Sequence, residues 1–435
     1  MGAGGRDFHN FNAVYRNDSE TEIVAITATQ IPYISGRTYP PSLAGPNYPE
    51  GIPIIEEEDL PELLDKEQID EVVFAYSDVS NQTIMTKAHQ ILAMGPDFKL
   101  MGPKATMLPS TKPVIAVVAV RTGCGKSPVS RQVTAHLKSR GVRTVAIRHP
   151  MPYGDLEKQG VQRFATLDDL VKHACTIEEM EEYEPHIENG TIVMAGVDYG
   201  LILKAAEKEA DVVLWDGGNN DLSFYKPDLT ICVVDPLRPG HETAYYPGHT
   251  NFILADVIVI NKVDAACLEN VQALHAAIQK WNPTATVVEM ASPLTVEDPK
   301  MITGKRVLCV EDGPTLTHGE MKIGAGVVAA MKFGAAEIVD PRPYLVGELQ
   351  KTFDKYPGIG CLLPAMGYGE GQVKDLETTI NAVDCDVVLA ATPVDIRRIL
   401  KINKPALRVR YEAQSIGQPD LAGILDEFLS KAGVR

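Results

Sequence analysis

Cysteine is scarce and scattered. The seven thiols, Cys124, Cys175, Cys232, Cys267, Cys309, Cys361 and Cys385, are odd in number and form no CxxC pair. That argues against a disulfide-stapled framework or a thiolate metal centre and fits a reducing compartment. Long apolar runs are also missing, and Met1 leads into glycines rather than a basic stretch followed by an apolar signal core, so no membrane is expected as a partner and a cytoplasmic location is expected. Positive charge is in deficit: 41 basic against 58 acidic side chains leave a net charge of −17. Diffuse attraction to nucleic acid is disfavoured, and an anionic ligand would need a locally basic pocket. What remains is a 435-residue chain, 45% hydrophobic and 23% charged, with the composition of a folded protein of about three domains.

Short apolar runs divide the chain. Ile23 to Ala28 and Val72 to Tyr76 point to a small Rossmann-like α/β domain over residues 1–110. Its glycine-rich start, Gly2 to Asp7, resembles a turn that admits phosphate to backbone amides, but no strand precedes it, so phosphate loop and plain turn both stay open. A Gly/Pro/Ser/Thr-rich passage near 101–113 predicts a boundary. Beyond it, Val114 to Val120, Thr144 to Ile147, Val212 to Trp215, Leu229 to Val234, Val257 to Ile260 and Ala285 to Val288 alternate with amphipathic segments. That pattern predicts a doubly wound, mostly parallel sheet in an α/β P-loop domain over 111–303. Further runs at Val307 to Val310, Val387 to Ala390 and Leu407 to Val409 give a C-terminal α/β region, 304–435, either separate or continuous with the P-loop domain.

The strongest motif is the strand Val114 to Val120 feeding Arg121-Thr122-Gly123-Cys124-Gly125-Lys126-Ser127. Small residues let consecutive amides turn toward a β-phosphate, a lysine reaches the β/γ oxygens, and a serine ligates Mg²⁺. Thr122, Gly123, Cys124, Gly125, Lys126 and Ser127 are therefore the candidate nucleotide cradle. Arg121 stands where the SIMIBI ATPases and GTPases carry a second lysine, and either clamps phosphate or is a solvated arginine at the loop mouth. Four apolar residues ending in Asp216 make a Walker-B-like strand end, with Asp216 beside Ser127 as the expected Mg²⁺ holder. Asn261-Lys262-Val263-Asp264 matches the NKxD base-reading element, with Asp264 accepting from guanine, so ATP and GTP both stay open.

Other charged positions are candidates for the co-substrate. Arg148 and His149 follow a predicted strand and, with Arg163 and Arg238, are expected to receive an anionic phosphorylated molecule, while Asp155 stands where a switch aspartate would serve metal or nucleophile. His241 and His249 rank behind them. The run Glu178 to Glu184 reads as a solvated helix, or as a site for K⁺ or Mg²⁺ or a cover over the active site.

Gly4 to Phe11, Arg121 to Ser127, Arg148 to Asp155, Thr176 to Pro185, Trp215 to Asp221, Glu311 to Gly319 and Asp340 to Tyr344 together resemble the cyclic 2,3-diphosphoglycerate synthetase family over nearly the full chain. The resemblance implies a ligase that uses ATP, Mg²⁺ and K⁺ to close 2,3-bisphosphoglycerate into an intramolecular phosphoanhydride, with Lys126, Arg121, Asp216 and Asp155 catalytic. A homodimer is the expectation for SIMIBI relatives. The rival readings are a SIMIBI-type GTPase, an ATP-dependent kinase or ligase acting on another anionic metabolite, and a non-catalytic nucleotide sensor.

Overall fold

The computed structural model describes residues 1–2, 4–29, 34–149, 154–218, 221–317, 323–365 and 370–434. Ala3, Pro150 to Tyr153, Asn219, Asn220, His318 and Gly319, parts of motifs singled out above, lie outside the described residues.

Every predicted run between 114 and 288 forms a strand. They are β1 (Val114–Ala119), β2 (Thr144–Arg148), β5 (Val212–Trp215), β6 (Leu229–Val234), β7 (Val257–Ile260) and β8 (Thr286–Ala291), joined by β3 (Gln162–Phe164) and β4 (Ile192–Ala195). One nine-stranded sheet results when β15 (Gln414–Ile416) is added, in the order β15-β8-β7-β6-β1-β5-β2-β4-β3. Neighbours run parallel except at the two edges, where β3 opposes β4 and β15 opposes β8. All six residues of β1 are buried, as a strand covered on both faces requires, and each fully buried Val or Ile there contributes about 1.5–3 kcal/mol. The chain crosses from β1 through the phosphate-loop position into α1 (Lys126–Ser139). This is the P-loop NTPase fold.

A second sheet contains β9 (Leu294–Val296), β10 (Arg306–Asp312), β11 (Glu337–Ile338), β12 (Leu363–Ala365), β13 (Val387–Ala391) and β14 (Ala406–Tyr411), in the order β9-β14-β13-β10-β11, with β12 also on β10. It has its own apolar core, around Leu308, Val310, Leu363, Ile380 and Leu389. The expected boundary at 303/304 differs from the observed crossing. The chain enters the second body at Ser292-Pro293, because β9 already pairs with β14, and leaves it at Glu412-Ala413. α4 (Leu421–Ala432) then buries Leu421, Leu425 and Phe428 in the P-loop core against α1. The reason is the apolar spacing of α4, four and three residues apart, a stripe that only the exposed side of α1 can cover.

The N-terminal region is α/β. A three-stranded sheet (Ile26–Ala28, Arg37–Tyr39, Ile52–Glu56) lies beside the parallel pair Glu71–Phe74 and Asp97–Leu100, which helix Asn81–Met94 connects as one βαβ crossover. Val79–Ser80 pairs with Tyr245–Tyr246 of the P-loop body.

Candidate active site

Gly125 ends the loop with φ +97°, and a Cβ there would stand 2.1 Å from the Asn261 amide nitrogen. Only glycine allows this approach. Asn261 Nδ2 in turn donates to the carbonyl of Cys124 at 3.0 Å, and Lys262 Nζ donates to the carbonyl of Gly123 and to Asp235 Oδ2. The NKxD element therefore braces the phosphate loop from below. Asp264 accepts from the Ser292 amide at 2.8 Å, at the rim. Arg238 joins Asp235 at 3.0 Å and reaches Cys124 Sγ at 3.5 Å.

Above the loop, Asp216 is the hub. Its Oδ1 accepts from Lys126 Nζ at 2.6 Å and Ser130 Oγ at 2.7 Å; its Oδ2 accepts from Arg148 Nη1 at 2.6 Å and lies 2.9 Å from His186 Nε2. Arg148 also pairs with Glu182 at 2.7 Å. Burial alone would raise the Asp216 carboxyl, but Arg148, then Lys126 and His186, hold it well below the usual carboxylate range. Burial lowers the Lys126 ammonium and the His186 imidazole, so His186 is neutral near pH 7 and donates from Nε2. Burial also takes His149 down to about 3; its ring packs on Trp215 and Phe224, with Nε2 3.9 Å from Asp221. Gly217 lets the chain fold across the Trp215 indole, where a Cβ would meet the ring at 2.4 Å.

The helix that carries Glu182 and His186, α2 (Ile177–Glu188), starts with a Thr176/Glu179 capping box. The expected solvated helix is instead packed between the bodies: Glu178, Glu179, Glu181 and Glu184 are all buried. Burial first, then Asp312 and Glu178, push the Glu181 carboxyl well up, and Glu181 hydrogen-bonds Asp312 at the end of β10. Next to Asp312, Glu311 caps the amides of Gly326 and Val327, and burial raises its carboxyl to about 8. Glu184 pairs with Arg398 at 2.7 Å. An acidic wall from both bodies thus lines α2, the helix whose Glu182 and His186 reach the hub. Among the described residues no group of three or more His, Cys, Asp or Glu has metal-holding geometry.

Over 428 residues, 98% of this chain and 96% of the relative, the sequence is 61% identical to the arginine synthetase ArcE of Thermococcus kodakarensis. The chain belongs to the ArcE family. No family model matches it. Solved structures share parts of the fold: the ATP complex of LpxK from Aquifex aeolicus, 12% identical with a TM-score of 0.43, covers 75% of this chain and 90% of its own. HypB from Archaeoglobus fulgidus, 17% identical with a TM-score of 0.28, covers 48% and 89%.

In this ArcE-family chain the sequence-derived candidates separate into three groups. Lys126, Asp216 and Arg148 are brought together at the head of α1, where Ser127 directly follows Lys126, but Arg148 is turned onto Asp216 and Glu182 rather than outward. Thr122, Gly123, Cys124, Gly125, Asn261, Lys262 and Arg238 form the loop and its brace. Asp155 and Arg163 are elsewhere. Asp155 caps its own surface turn through the amides of Glu157 and Lys158, and Arg163, on the edge strand β3, pairs with Glu209 at 2.7 Å. Arg121 is buried: its Nε donates to Asp78 Oδ1 at 2.7 Å, its guanidinium lies 3.5 Å from the Tyr245 ring centroid, and Nη1 meets His241 at 3.0 Å. Asp78, from the N-terminal region, also accepts from the Thr122 amide at 3.1 Å. Sequence reasoning missed Asp78, Ser130 and His186 as site neighbours, while Glu182 falls within the acidic run singled out above. The i, i+4 spacing of Glu182 and His186 on a capped helix was the available signal.

Among the described residues of the glycine turn near the N-terminus, the Gly4 and Gly5 amides are already taken. Gly4 and Gly5 N–H both donate to Asp7 Oδ1 at 3.0 Å, so the turn's own carboxylate takes the place a phosphate oxygen would need.

Proposed function

We propose that the protein is an ATP-dependent synthetase that builds the guanidinium group of arginine from citrulline, its ureido counterpart, and a nitrogen nucleophile. The name of its relative supports arginine as the product, and the P-loop fold supports the nucleotide. The incoming triphosphate draws Lys126 from Asp216 to the β/γ oxygens, and Ser127 with the released Asp216 fits the donor set of a nucleotide-bound Mg²⁺. That ion, when bound, neutralises charge on the phosphates. Transfer of the γ-phosphoryl to the ureido oxygen expels ADP and turns that oxygen into a phosphate leaving group. Attack of nitrogen on the ureido carbon then releases inorganic phosphate, and loss of a proton leaves the guanidinium. Arg148 lies where it can follow the transferring phosphoryl from Asp216, and neutral His186 keeps Asp216 oriented.

The observation that carries the choice of substrate is the acidic wall of Glu178, Glu181, Glu182 and Asp312 on α2 and β10, which Glu182 joins to the hub through Arg148. Such a wall favours a co-substrate that becomes cationic. Closure of 2,3-bisphosphoglycerate needs several cations turned toward a polyanion, whereas Arg163 is held by Glu209 and Arg238 by Asp235. GTP in place of ATP, K⁺ at the acidic helix and a homodimer stay as arms of the same test. Purified protein given citrulline, ammonium, ATP and Mg²⁺ is expected to yield arginine, ADP and phosphate in equal amounts. A parallel incubation with 2,3-bisphosphoglycerate is followed by ³¹P NMR, and a cyclic product there with no arginine in the first would overturn the reading.

A further inference from the structure

We infer that the N-terminal region holds a second small-molecule site, for a neutral ligand whose amide-type head, a carbonyl flanked by N–H donors, sits on a short apolar stem. The site is a cavity of about 130 Å³ between the three-stranded sheet and the βαβ pair, with Asp7 and Asn10 in its wall and Leu60, Leu63, Ile69 and Val72 around it. Asn10 is 3% exposed, yet neither its Nδ2 nor its Oδ1 has a hydrogen-bond partner among the described residues. Asp7 commits Oδ1 to the glycine turn and leaves Oδ2 buried, likewise unpartnered among the described residues.

Leaving a buried polar group unsatisfied costs about 1–3 kcal/mol, and folded proteins seldom tolerate several in one place without something to meet them. The three atoms also specify what meets them. Asn10 offers both a donor and an acceptor, and burial pushes the Asp7 carboxyl up, so its Oδ2 accepts when ionised and donates when protonated. A carboxylate ligand supplies no donor for Asn10 Oδ1. An ammonium or guanidinium supplies no acceptor for Asn10 Nδ2. A primary carboxamide or a urea supplies one acceptor and two or more donors from a single planar head, and the aliphatic wall takes its stem. In size the cavity is near the roughly 150 Å³ that admits a benzene-sized molecule, so the stem is three or four carbons long.

The segment that carries Asp7 and Asn10 is also tied to the P-loop body. Arg6 pairs with Asp221 at 3.5 Å, and Arg16 pairs with Asp198 at 2.9 Å. Occupancy of the cavity therefore bears on the framework that holds β5 and its loop. The site is independent of the synthetase reaction, and either can fail without the other.

The test is calorimetric titration of the full chain with butyramide and n-propylurea, with butyrate and butylammonium as contrasts. Both amide-headed probes are expected to bind, at least tenfold more tightly than either contrast. Asn10→Leu, which removes the polar atoms at similar volume, is expected to lose that binding tenfold or more, and Val72→Phe to lose it by filling the space. Lys126→Ala is expected to keep it, which separates this site from the phosphate loop. No binding to the wild-type chain, equal binding by Asn10→Leu, or tighter binding of either charged contrast would overturn the assignment.

Discussion

Two buried aspartates at the ends of strands flanking β1 each gather cations, and they do different work with them. Asp216, after β5, holds Lys126 and Arg148, side chains that can exchange a carboxylate for a phosphate. Asp235, after β6, holds Lys262 and Arg238, and Lys262 is also bonded to the loop backbone. A cation whose other partner is a fixed carbonyl cannot follow a substrate. On the proposed reading the first cluster is chemical and the second is scaffolding, although by charge and burial they look alike.

Replacement of one member from each cluster should separate them. Lys126→Ala is expected to reduce nucleotide turnover by on the order of 10³-fold, measured as ADP release, because it removes charge that follows the phosphoryl group into the transition state. Arg148→Ala comes next: kcat falls about 10²-fold while KM for ATP stays within about threefold, the signature of a contact made after nucleotide binding. Equal losses of ATP affinity in the two variants would erase the distinction between them. For the scaffolding cluster, Lys262→Ala should raise KM for ATP by about tenfold with kcat little changed, as the loop loses its brace; a kcat defect equal to that of Arg148→Ala would show that both clusters are chemical.

A pH prediction bears on the junction with the N-terminal region. Burial, against the pull of Arg6, raises Asp221 to about 7 from an ordinary 3.8. The folded chain therefore binds this proton more tightly than the unfolded chain. The stability it contributes is full below about pH 4 and is lost as pH rises through about 7. Urea unfolding of Asp221→Asn should show a shallower decline across that window than the wild type; an unchanged slope would remove Asp221 from the account. Smallest of all, Arg163→Ala should leave turnover unaltered and stability within about 0.5 kcal/mol, since its pair with Glu209 is exposed.

The parts of this arrangement that could be read from residues are those set by local geometry. The apolar strand before Gly123 and Gly125, the aspartate ending Val212–Trp215, and Asn261-Lys262 after another strand each place a side chain by position along the backbone alone. What could not be read depends on partners far along the chain. Nothing local reveals that Asp78, from a different region, occupies Arg121 and the Thr122 amide. Arg148 follows a strand as a substrate arginine would, but its direction is decided by Glu182 on α2. The acidic run from 178 has the composition of a wet helix, and its burial follows from the second body closing over it. Asp155 lacked that kind of anchor and caps a surface turn. The return of α4 to the first core could not be read, because its partner α1 lies almost three hundred residues earlier in the chain.

The dipeptides Ser292-Pro293 and Glu412-Ala413 join the two larger bodies side by side, within a ribbon paired through Ala291 with Gln414 and Leu294 with Tyr411. Paired tethers resist twisting and sliding far more than they resist bending across their width. The carboxyls of β10 are thereby held in one register against α2, where Asp312 meets Glu181.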